Sequence, residues 1–599
     1  MISSRANAAD SLGTIIANSP QPFAIPVTVR RRADSDVAQG LPGGDLHPLL
    51  RRLYGARGVR SEAGYSLPLS ALHSFDLLGD IGRAAEILAS CIESGGSVLV
   101  IGDYDADGAT GSALAVRGLR ALGAASVSYL VPSRFAFGYG LSPPVVDAAA
   151  SFRPDLILTV DNGIASVAGV RRASELGIPV IVTDHHLPGA ELPAAAAIVN
   201  PNVPGDPFPS KHLAGVGVVF YLLAAVRAQL RSGGRFRRAR PEPNLAELLD
   251  LVALGTVADV VTLDENNRIL VEQGLRRIRA GRCCPGVRAL LEVAGRRSDE
   301  ATARDLGFAA GPRLNAAGRL TDMSLGVECL LTDDLERAAT MALELDALNA
   351  RRREIEAEMQ DQAETMLDAL EPGEEGLPPA FCLFEEGWHQ GVSGIVAARI
   401  RERYHRPVIA FAEADDGLLR GSARSVDGLH IRDLIDRVAK RHPDLIVRYG
   451  GHAMAAGLTL RRVVLDTFRD AFADEVRREL GDAPVVRELV SDGELSADAL
   501  DLPTAELLRT AGPWGKGFPE PLFDGRFQVL HRRLVGERHL RLRLRADEGG
   551  SAIDGIGFRL GQHAATGSDQ VHLAYRLDVN EFRGIKSAQL IVEHLEWIS

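Results

Sequence analysis

The sequence predicts an α/β protein of several domains, and three observations lead to this fold class. Between about residues 50 and 332, short runs of Val, Ile and Leu alternate with helical stretches, which is typical of βαβ units around a parallel sheet. A second, smaller α/β segment follows a long stretch that contains neither Gly nor Pro. Near the C-terminus, His539-Leu-Arg-Leu-Arg-Leu-Arg545 alternates strictly, as antiparallel strands do.

A chain of 599 residues is too long for one hydrophobic core, so we predict five segments. Residues 1–49 would be an N-terminal arm, and residues 50–332 the parallel-sheet domain. Residues 333–370 would form one helix of roughly 55 Å, given a rise of 1.5 Å per residue. The smaller α/β domain would occupy residues 371–483. Residues 484–599 would close into a small β-barrel of the oligonucleotide-binding (OB) type.

Composition narrows the class of protein. The five cysteines are scattered without a CxxC spacing, which argues against disulfides and structural zinc and favours a reducing cytoplasm. No secretory signal and no membrane-spanning stretch are visible, so we expect a soluble cytoplasmic protein without membrane contact. The net charge of −12 does not exclude a nucleic-acid substrate, because polyanions are bound by local groups of Arg and Lys.

Acidic residues follow three predicted strands of the parallel sheet. The strands run into Asp103-Tyr-Asp-Ala-Asp-Gly108, Asp161-Asn-Gly163 and Asp184-His-His186. Because the carboxyl ends of neighbouring parallel strands meet in one crevice, these side chains should converge. Asp105 and Asp107, two residues apart on an extended segment, should point the same way. Asp259 is a further carboxylate between apolar residues.

So many buried like charges require cations, and two divalent ions side by side usually serve phosphoester chemistry. Carboxylates and imidazoles without thiolates suit Mn²⁺ or Mg²⁺. Each Asp taken singly is explained as well by a helix N-cap or a turn after a strand. The whole set favours metal binding.

The motifs also resemble those of a known family. The three strand-end motifs and Asp259 look like the four motifs of the DHH phosphoesterase superfamily, and the Ser422–Arg424 and Gly450–His452 segments look like its DHHA1 domain. Within that superfamily, the ordered set resembles the RecJ family from about residue 50 onward. The segments that point to the RecJ family within this superfamily are Gly387-Trp-His-Gln-Gly391, Pro312-Arg-Leu-Asn-Ala-Ala-Gly-Arg319 and Pro513-Trp-Gly-Lys-Gly-Phe-Pro-Glu-Pro-Leu-Phe523.

The resemblance implies a role for each matching residue. Two ions, with Mn²⁺ preferred and Mg²⁺ as the alternative, would be ligated by Asp105, Asp107, Asp161, His185 and Asp259, with Asp161 bridging. Asp103 and His186 would lie beside them. Arg134 would receive a 5′-terminal phosphate, and Arg313 and Arg319 both match a phosphate-contacting segment. Ser422, Arg424 and His452 would hold substrate phosphates.

His452 would also protonate the leaving 3′ oxygen or donate a hydrogen bond to it, although a histidine in a tight turn can equally be structural.

The implied activity is that of a single-stranded-DNA-specific 5′→3′ exonuclease that releases 5′-mononucleotides in DNA recombination and repair. Implied partners are single-stranded DNA, the tail of single-strand-binding protein and a RecQ-type helicase, with the enzyme a monomer. Arg541, Arg543 and Arg545 are candidates for the tail. Two alternatives stay open: a DHH phosphodiesterase for short RNA or cyclic dinucleotides, and a non-catalytic replication scaffold.

Overall fold

The structure is a computed structural model that describes residues 27–32, 41, 46–236, 241–368, 378–480, 487–536, 538–565 and 567–598. It divides into two compact units. The larger unit contains the described residues between 29 and 357 and from 489 onward, and the smaller one contains those between 358 and 488 together with Val27 and Thr28. Most of the predicted N-terminal arm lies outside the described residues; its described part includes strand β1, Val27–Arg31.

A five-stranded parallel sheet forms the first half of the larger unit. Its strands are β2 (Ser97–Gly102), β3 (Ser126–Leu130), β4 (Leu156–Val160), β5 (Val180–Thr183) and β6 (Ala197–Val199). Their order is β3-β2-β4-β5-β6, and every pair is parallel. The prediction of a parallel-sheet domain is therefore confirmed. The order reverses at β2, so the carboxyl ends of β2 and β4 flank the crevice where ligands bind in such sheets.

Helices cover this sheet and extend beyond it. The helix Ala106–Leu122 is buried along almost its whole length, because it packs between the sheet and two further helices, Gly215–Ser232 and Leu249–Ala258. It ends at Gly123, whose φ of 94° suits glycine. The other helices are Pro48–Ala56, Ala63–Ser66, Ile81–Ser94, Pro143–Ala150, Val167–Glu175, Glu265–Arg279, Pro285–Val293, Ala303–Asp305, Gly311–Leu320 and Ser324–Leu331.

One continuous helix, Leu335–Asp368, occupies the segment for which a long helix was predicted. Its 34 residues correspond to about 51 Å. Residues up to 357 belong to the larger unit and the rest to the smaller one. In its second part, Met359, Ala363 and Leu367 are buried, whereas Met366 is half-buried.

The smaller unit is a second α/β domain. Its sheet has the order β10-β11-β9-β8-β7, in which only the pair of β7 and β8 is parallel. Phe411, Phe468 and Phe472 form part of its core. The strands are β7 (Phe381–Phe384), β8 (Val408–Glu413), β9 (Leu418–Arg424), β10 (Arg448–Gly451) and β11 (Ala455–Arg461), and the helices are Gln390–Tyr404, Ile431–Arg441 and Leu465–Leu480.

The C-terminal part of the larger unit is a closed five-stranded barrel, which confirms the predicted OB-like fold. After β12 (Arg487–Ser491) and the helix Leu502–Thr510 come β13 (Phe523–Val535), β14 (His539–Ala546), β15 (Gly549–Gly557), β16 (Gln570–Phe582) and β17 (Ile585–Ile598). The closed order is β13-β14-β15-β17-β16. On β14, Leu540, Leu542 and Leu544 are buried and the intervening arginines are exposed.

The segment between the helix Leu502–Thr510 and the barrel packs directly on the parallel-sheet domain. The hydroxyl of Tyr54 donates a hydrogen bond of 2.6 Å to the carbonyl of Ala511. The guanidinium carbon of Arg268 lies 3.8 Å from the ring centre of Phe518. Among the described residues, no helix combines the length and the apolar character that crossing a membrane would require.

Candidate metal centre

The acidic ends of β2, β4 and β5 stand in a row at one edge of the sheet. The amide of Asp103 donates to the carbonyl of Val160 at 3.2 Å, and that of Asp161 donates to Thr183 at 3.0 Å. The amide of Asp184 donates to the carbonyl of Val199 at 3.2 Å. The backbone pairing of the sheet thus continues one residue past each strand, and it aligns the three motifs.

The candidate ligand atoms gather in overlapping groups, in each of which they lie within 4.8 Å of one another. The first ligand group contains Asp103, Asp105 and Asp161, and the second contains Asp107, His185 and Asp259. A third set, Asp161 with His185 and His186, links the two. All seven candidate residues of this centre are therefore brought together.

Asp105 and Asp107 do not lie on one extended segment, so the basis for expecting them to point the same way is wrong. The helix begins at Ala106, and Asp105 is its N-cap, accepting hydrogen bonds from the amides of Asp107 and Gly108. Asp107 already lies in the first turn, where successive side chains rotate by about 100°. A helix start has replaced the extended segment that the sequence suggested.

Asp107 is held by the start of another helix. Its two carboxylate oxygens accept hydrogen bonds from the amides of Gly215 and Val216, at 2.6 and 2.8 Å. These amides belong to the first turn of Gly215–Ser232, where unpaired N–H groups and the helix dipole favour a negative charge. The carboxylate is therefore oriented by backbone that is distant in sequence.

Asp161 and His185 form the middle of the centre. Asp161 has a φ of 61°, an uncommon backbone conformation for a non-glycine residue and one that occurs at functional sites. Nε2 of His185 lies 3.1 Å from Oδ1 of Asp161 and 3.5 Å from Oδ2 of Asp259. The first two atoms are buried, and neither has a hydrogen-bond partner among the described residues. A buried nitrogen and a buried oxygen that both lack a hydrogen-bond partner are suited to bind a shared cation.

Asp184 positions the two histidines, a role that was not assigned from the sequence. Its carboxylate accepts hydrogen bonds from the amides of Ile164, His185 and His186, and contacts Nδ1 of His186 at 2.7 Å. Burial alone would raise the pKa of Asp184 and lower that of His186. Even so, the hydrogen bond and the opposite charges lower the pKa of Asp184 and raise that of His186 to about 9.

The charge of the centre is only partly offset by protein cations, because His186, which its raised pKa keeps protonated, lies 3.8 Å from Oδ1 of Asp161. In the described part of the chain, neither Arg nor Lys forms an ion pair with the five ligand carboxylates. Burial and neighbouring carboxylates raise the pKa of Asp103, Asp161 and Asp259 well above the usual range, and that of Asp107 to about 7. Burial lowers the pKa of His185 to about 4, which keeps its imidazole neutral as a metal ligand must be. These residues fit divalent cations.

Arg134 lies next to the first ligand group. Its guanidinium carbon is 4.2 Å from the ring centre of Tyr104, and its charge acts on Asp103. Nε of Arg134 is buried without a hydrogen-bond partner in the described chain. Tyr139 contacts the centre as well, because its hydroxyl lies 3.2 Å from Nδ1 of His186.

The segment Pro312–Arg319 forms most of the helix Gly311–Leu320. Arg313 is engaged by Asp346 at 2.7 Å and donates to the carbonyl of Ala309, whereas Arg319 is half-buried in the last turn. Oδ1 of Asn315 accepts a hydrogen bond of 2.8 Å from the amide of Ala106. This contact, which was not anticipated, fixes the helix to the loop of the first motif.

Ser422, Arg424 and His452 belong to the smaller unit. Ser422 lies 2.9 Å from the hydroxyl of Ser393, and Arg424 is largely buried, which lowers its pKa. His452 follows Gly451, whose φ is 141° and where a Cβ would come within 2.4 Å of the Cα of Ala456. A glycine is therefore required at 451, whereas a Cβ on Gly450 would meet no atom within 4 Å.

Comparison with known proteins shows to which family the chain belongs. Family models match the DHH family N-terminal domain over residues 97–256, the DHHA1 domain over 378–478 and the RecJ OB domain over 491–594. The chain is 55% identical over 568 residues to the single-stranded-DNA-specific exonuclease RecJ of Salmonella typhimurium, covering 94% of this chain and 98% of that protein. Identity to its Escherichia coli counterpart is 53%, with the same coverage.

This chain belongs to the RecJ family. The fold agrees with that of a solved member, the crystal structure of RecJ in complex with Mn²⁺ from Thermus thermophilus. The TM-score is 0.78 at 32% identity, covering 96% of this chain and 80% of that one. The same RecJ in complex with Mg²⁺ gives a TM-score of 0.73 at 31% identity, covering 96% and 79%. The family predicted from the motifs is confirmed.

Proposed function

We propose that this chain is a metal-dependent, single-stranded-DNA-specific 5′→3′ exonuclease that releases 5′-mononucleotides and acts in DNA recombination and repair. The observation that carries the proposal is the set of seven carboxylate and imidazole groups, whose negative charge protein cations offset only in part, at the carboxyl edge of the parallel sheet. Sequence identities of 55% and 53%, over 94% of the chain, to single-stranded-DNA-specific exonucleases support the enzyme class and the substrate.

Two divalent ions fit the two ligand groups, with Mn²⁺ preferred and Mg²⁺ as the alternative. One ion would be held by Asp103, Asp105 and Asp161, and the other by Asp107, His185 and Asp259. Asp161 would bridge the two, since its Oδ1 lies 3.1 Å from Nε2 of His185. When bound, such ions activate the attacking water and neutralise charge on the scissile phosphate.

The side chains around the centre would position the DNA end. Arg134, with an unpartnered buried Nε beside Asp103, is suited to receive the 5′-terminal phosphate. Arg313 and Arg319 are both candidates for a second phosphate contact, and at Arg313 the phosphate would compete with Asp346, 2.7 Å away. Ser422, Arg424 and His452 of the smaller unit would hold the scissile phosphate, with His452 donating a hydrogen bond or a proton to the leaving 3′ oxygen.

The barrel favours a polymeric substrate over a dinucleotide, and the complete ligand set argues against a non-catalytic scaffold. A phosphodiesterase for dinucleotides needs only the two α/β domains, whereas residues 491–594 match a RecJ OB domain. A replication scaffold would not need the ligands, and here all seven are present in overlapping groups whose candidate ligand atoms lie within 4.8 Å of one another.

Partner binding is a further part of the proposal. The barrel would contact the tail of single-strand-binding protein, and a RecQ-type helicase would supply unwound DNA to a monomeric enzyme in the cytoplasm. Arg541 and Arg543 share Asp554 as an ion-pair partner. Arg545, which forms no ion pair in the described chain, is then the strongest of the three candidates for an acidic tail.

Single strands labelled at the 5′ or the 3′ end, with and without a 5′-phosphate, test the proposal in Mn²⁺. Early release of the 5′ label as a mononucleotide, with the 3′ label retained on a shortening strand, is the expected result. A matched duplex is the control and should persist. Release of the 3′ label first, or digestion of the duplex at the same rate, would refute the assignment.

A further inference from the structure

The first three backbone amides of the helix Ala106–Leu122 find their acceptors on two different side chains. Oδ1 of Asp105, the N-cap, accepts hydrogen bonds from the amides two and three residues later, at 2.9 and 3.0 Å. The amide of Ala106, a residue that is only 1% exposed, donates instead to Oδ1 of Asn315 at 2.8 Å. Oδ2 of Asp105 accepts no hydrogen bond from the described part of the chain, so this oxygen is left for an ion.

The helix that carries Asn315, Gly311–Leu320, also touches the loop on the other side of Asp105. A Cβ on Gly318 would come within 1.8 Å of the carbonyl oxygen of Tyr104, so the two backbones are in direct contact. Gly318 follows Asn315 by three residues and therefore lies on the same face of the helix. The helix thus contacts the residue before Asp105 and the residue after it, which fixes the backbone on both sides of this candidate ligand.

The opposite face of the same helix is anchored by an ion pair. Arg313 precedes Asn315 by two residues, or about 200° of helix rotation, so its side chain leaves from the other face. One guanidinium nitrogen lies 2.7 Å from Oδ1 of Asp346 on the long helix Leu335–Asp368, and another donates to the carbonyl of Ala309. The Arg313 side chain is largely buried, so solvent screens this pair only in part.

We infer that Asn315 is a positioning residue, which leaves Oδ2 of Asp105 available to a divalent ion in the first ligand group. The ion pair of Arg313 with Asp346 holds the helix that carries Asn315. The inference rests on the proposed function, because that function requires the ion. It assigns no contact with DNA to Asn315, whose effect is exerted through the loop.

The alternative acceptor for the amide of Ala106 is Asp105 itself. An aspartate can accept a hydrogen bond from the amide of the next residue, as Asp184 does from His185 at 2.7 Å in the same centre. Without the Asn315 side chain, the buried amide of Ala106 would either compete with the ion for Asp105 or stay unpartnered, which is unfavourable for a buried donor. Either outcome weakens the first ligand group.

Mn²⁺ affinity and amide exchange, both measured without substrate, test the role of Asn315. We expect Asn315→Ala to weaken Mn²⁺ binding in calorimetry at least about tenfold, the lower end of the range for groups that orient metal ligands. In EDTA, the amide of Ala106 should exchange its hydrogen about fivefold faster, as loss of one hydrogen bond predicts. Asn315→Asp keeps the acceptor oxygen, so it should retain the slow exchange and bind Mn²⁺ at least as tightly as the wild type.

Asn266→Ala is the matched control. Oδ1 of Asn266 also accepts a backbone amide from a distant segment, that of His73 at 3.2 Å, and the hydroxyl of Tyr221 donates to it at 2.8 Å. This variant should lower the melting temperature and leave both Mn²⁺ affinity and the exchange of the Ala106 amide unchanged. An equal loss of Mn²⁺ affinity in Asn266→Ala, or an unchanged affinity in Asn315→Ala, would overturn the inference.

Asp346→Asn tests the anchor. It removes the charge that pairs with Arg313, so Mn²⁺ binding should weaken, and exchange at Ala106 should accelerate, by about two- to fivefold, as loss of a partly exposed ion pair predicts. Added to Asn315→Ala it should have little further effect, because both changes act on the same connection. Tighter binding of a single strand by Asp346→Asn, with unchanged Mn²⁺ affinity, would show that Asp346 competes with a phosphate for Arg313 and would overturn the anchoring role. Wild-type digestion of single strands tests the proposed function separately.

Discussion

Asp184 offers the sharpest test of how the metal centre is held together. It is fully buried and accepts four hydrogen bonds, two of them from His186. In Asp184→Asn, an amide NH₂ replaces one of the two oxygens. If the remaining oxygen keeps the contacts with the histidines, the new NH₂ faces the amide of Ile164, which now donates to Oδ2 at 2.9 Å. The pair of His186 with a charged carboxylate is lost in either orientation.

Two magnitudes follow from these contacts. One hydrogen bond to a charged acceptor is replaced by two opposed donors, so the free energy of unfolding should fall by about 1.5–3 kcal/mol. Loss of a group that orients a metal ligand typically weakens metal affinity or activity 10- to 100-fold. The Mn²⁺ concentration for half-maximal activity should rise by this factor, which corresponds to about 1.4–2.7 kcal/mol.

Mn²⁺ titration of nuclease activity, together with denaturant unfolding in EDTA, measures both effects. Asp206→Asn is the matched control, because the Asp206 carboxylate also accepts two backbone amides, those of Gly79 and Phe208, in partly buried hydrogen bonds, but contacts no candidate ligand. It should lose stability without a change in Mn²⁺ requirement. An unaltered Mn²⁺ requirement in Asp184→Asn, or an equal shift in Asp206→Asn, would refute the positioning role.

Three further predictions concern the same structure. Asp161→Ala should abolish metal-dependent hydrolysis while the melting temperature in EDTA stays equal or rises, since it removes a buried charge from a repulsive cluster; residual activity near the wild-type level would count against the site. Without metal, stability should fall as the pH rises from about 4 to about 7, because the folded protein retains a proton on Asp107, whose pKa is about 7, that the unfolded chain releases. Melting temperatures measured in EDTA and in Mn²⁺ across this pH range test the prediction. A melting temperature in EDTA that rises with pH would contradict it. Gly451→Ala should cost about 1–3 kcal/mol and much of the activity through backbone strain at φ 141°, whereas Gly450→Ala, with no atom near its Cβ, should be close to neutral by thermal melting and kinetics.

The sequence alone determined the layers of the fold and the set of residues at the metal centre. Alternation of apolar runs with helical stretches specifies a parallel sheet, and an acid directly after each strand must lie at its carboxyl edge. The strict alternation of β14 likewise specifies which residues face the barrel interior. These are local patterns with short periods, so they can be read without knowing distant contacts.

Only the tertiary structure determined which of these residues lie together and which contacts orient them. Asp105 and Asp107 separate into two ligand groups because a helix starts between them, and backbone amides more than 100 residues away orient Asp107. Arg313 is neutralised by an acid on the long helix, and Gly515 and Gly517 pack against Leu263 and Thr262 of another domain. Each of these outcomes depends on contacts between segments far apart in sequence, whose geometry is set by packing and not by any local period.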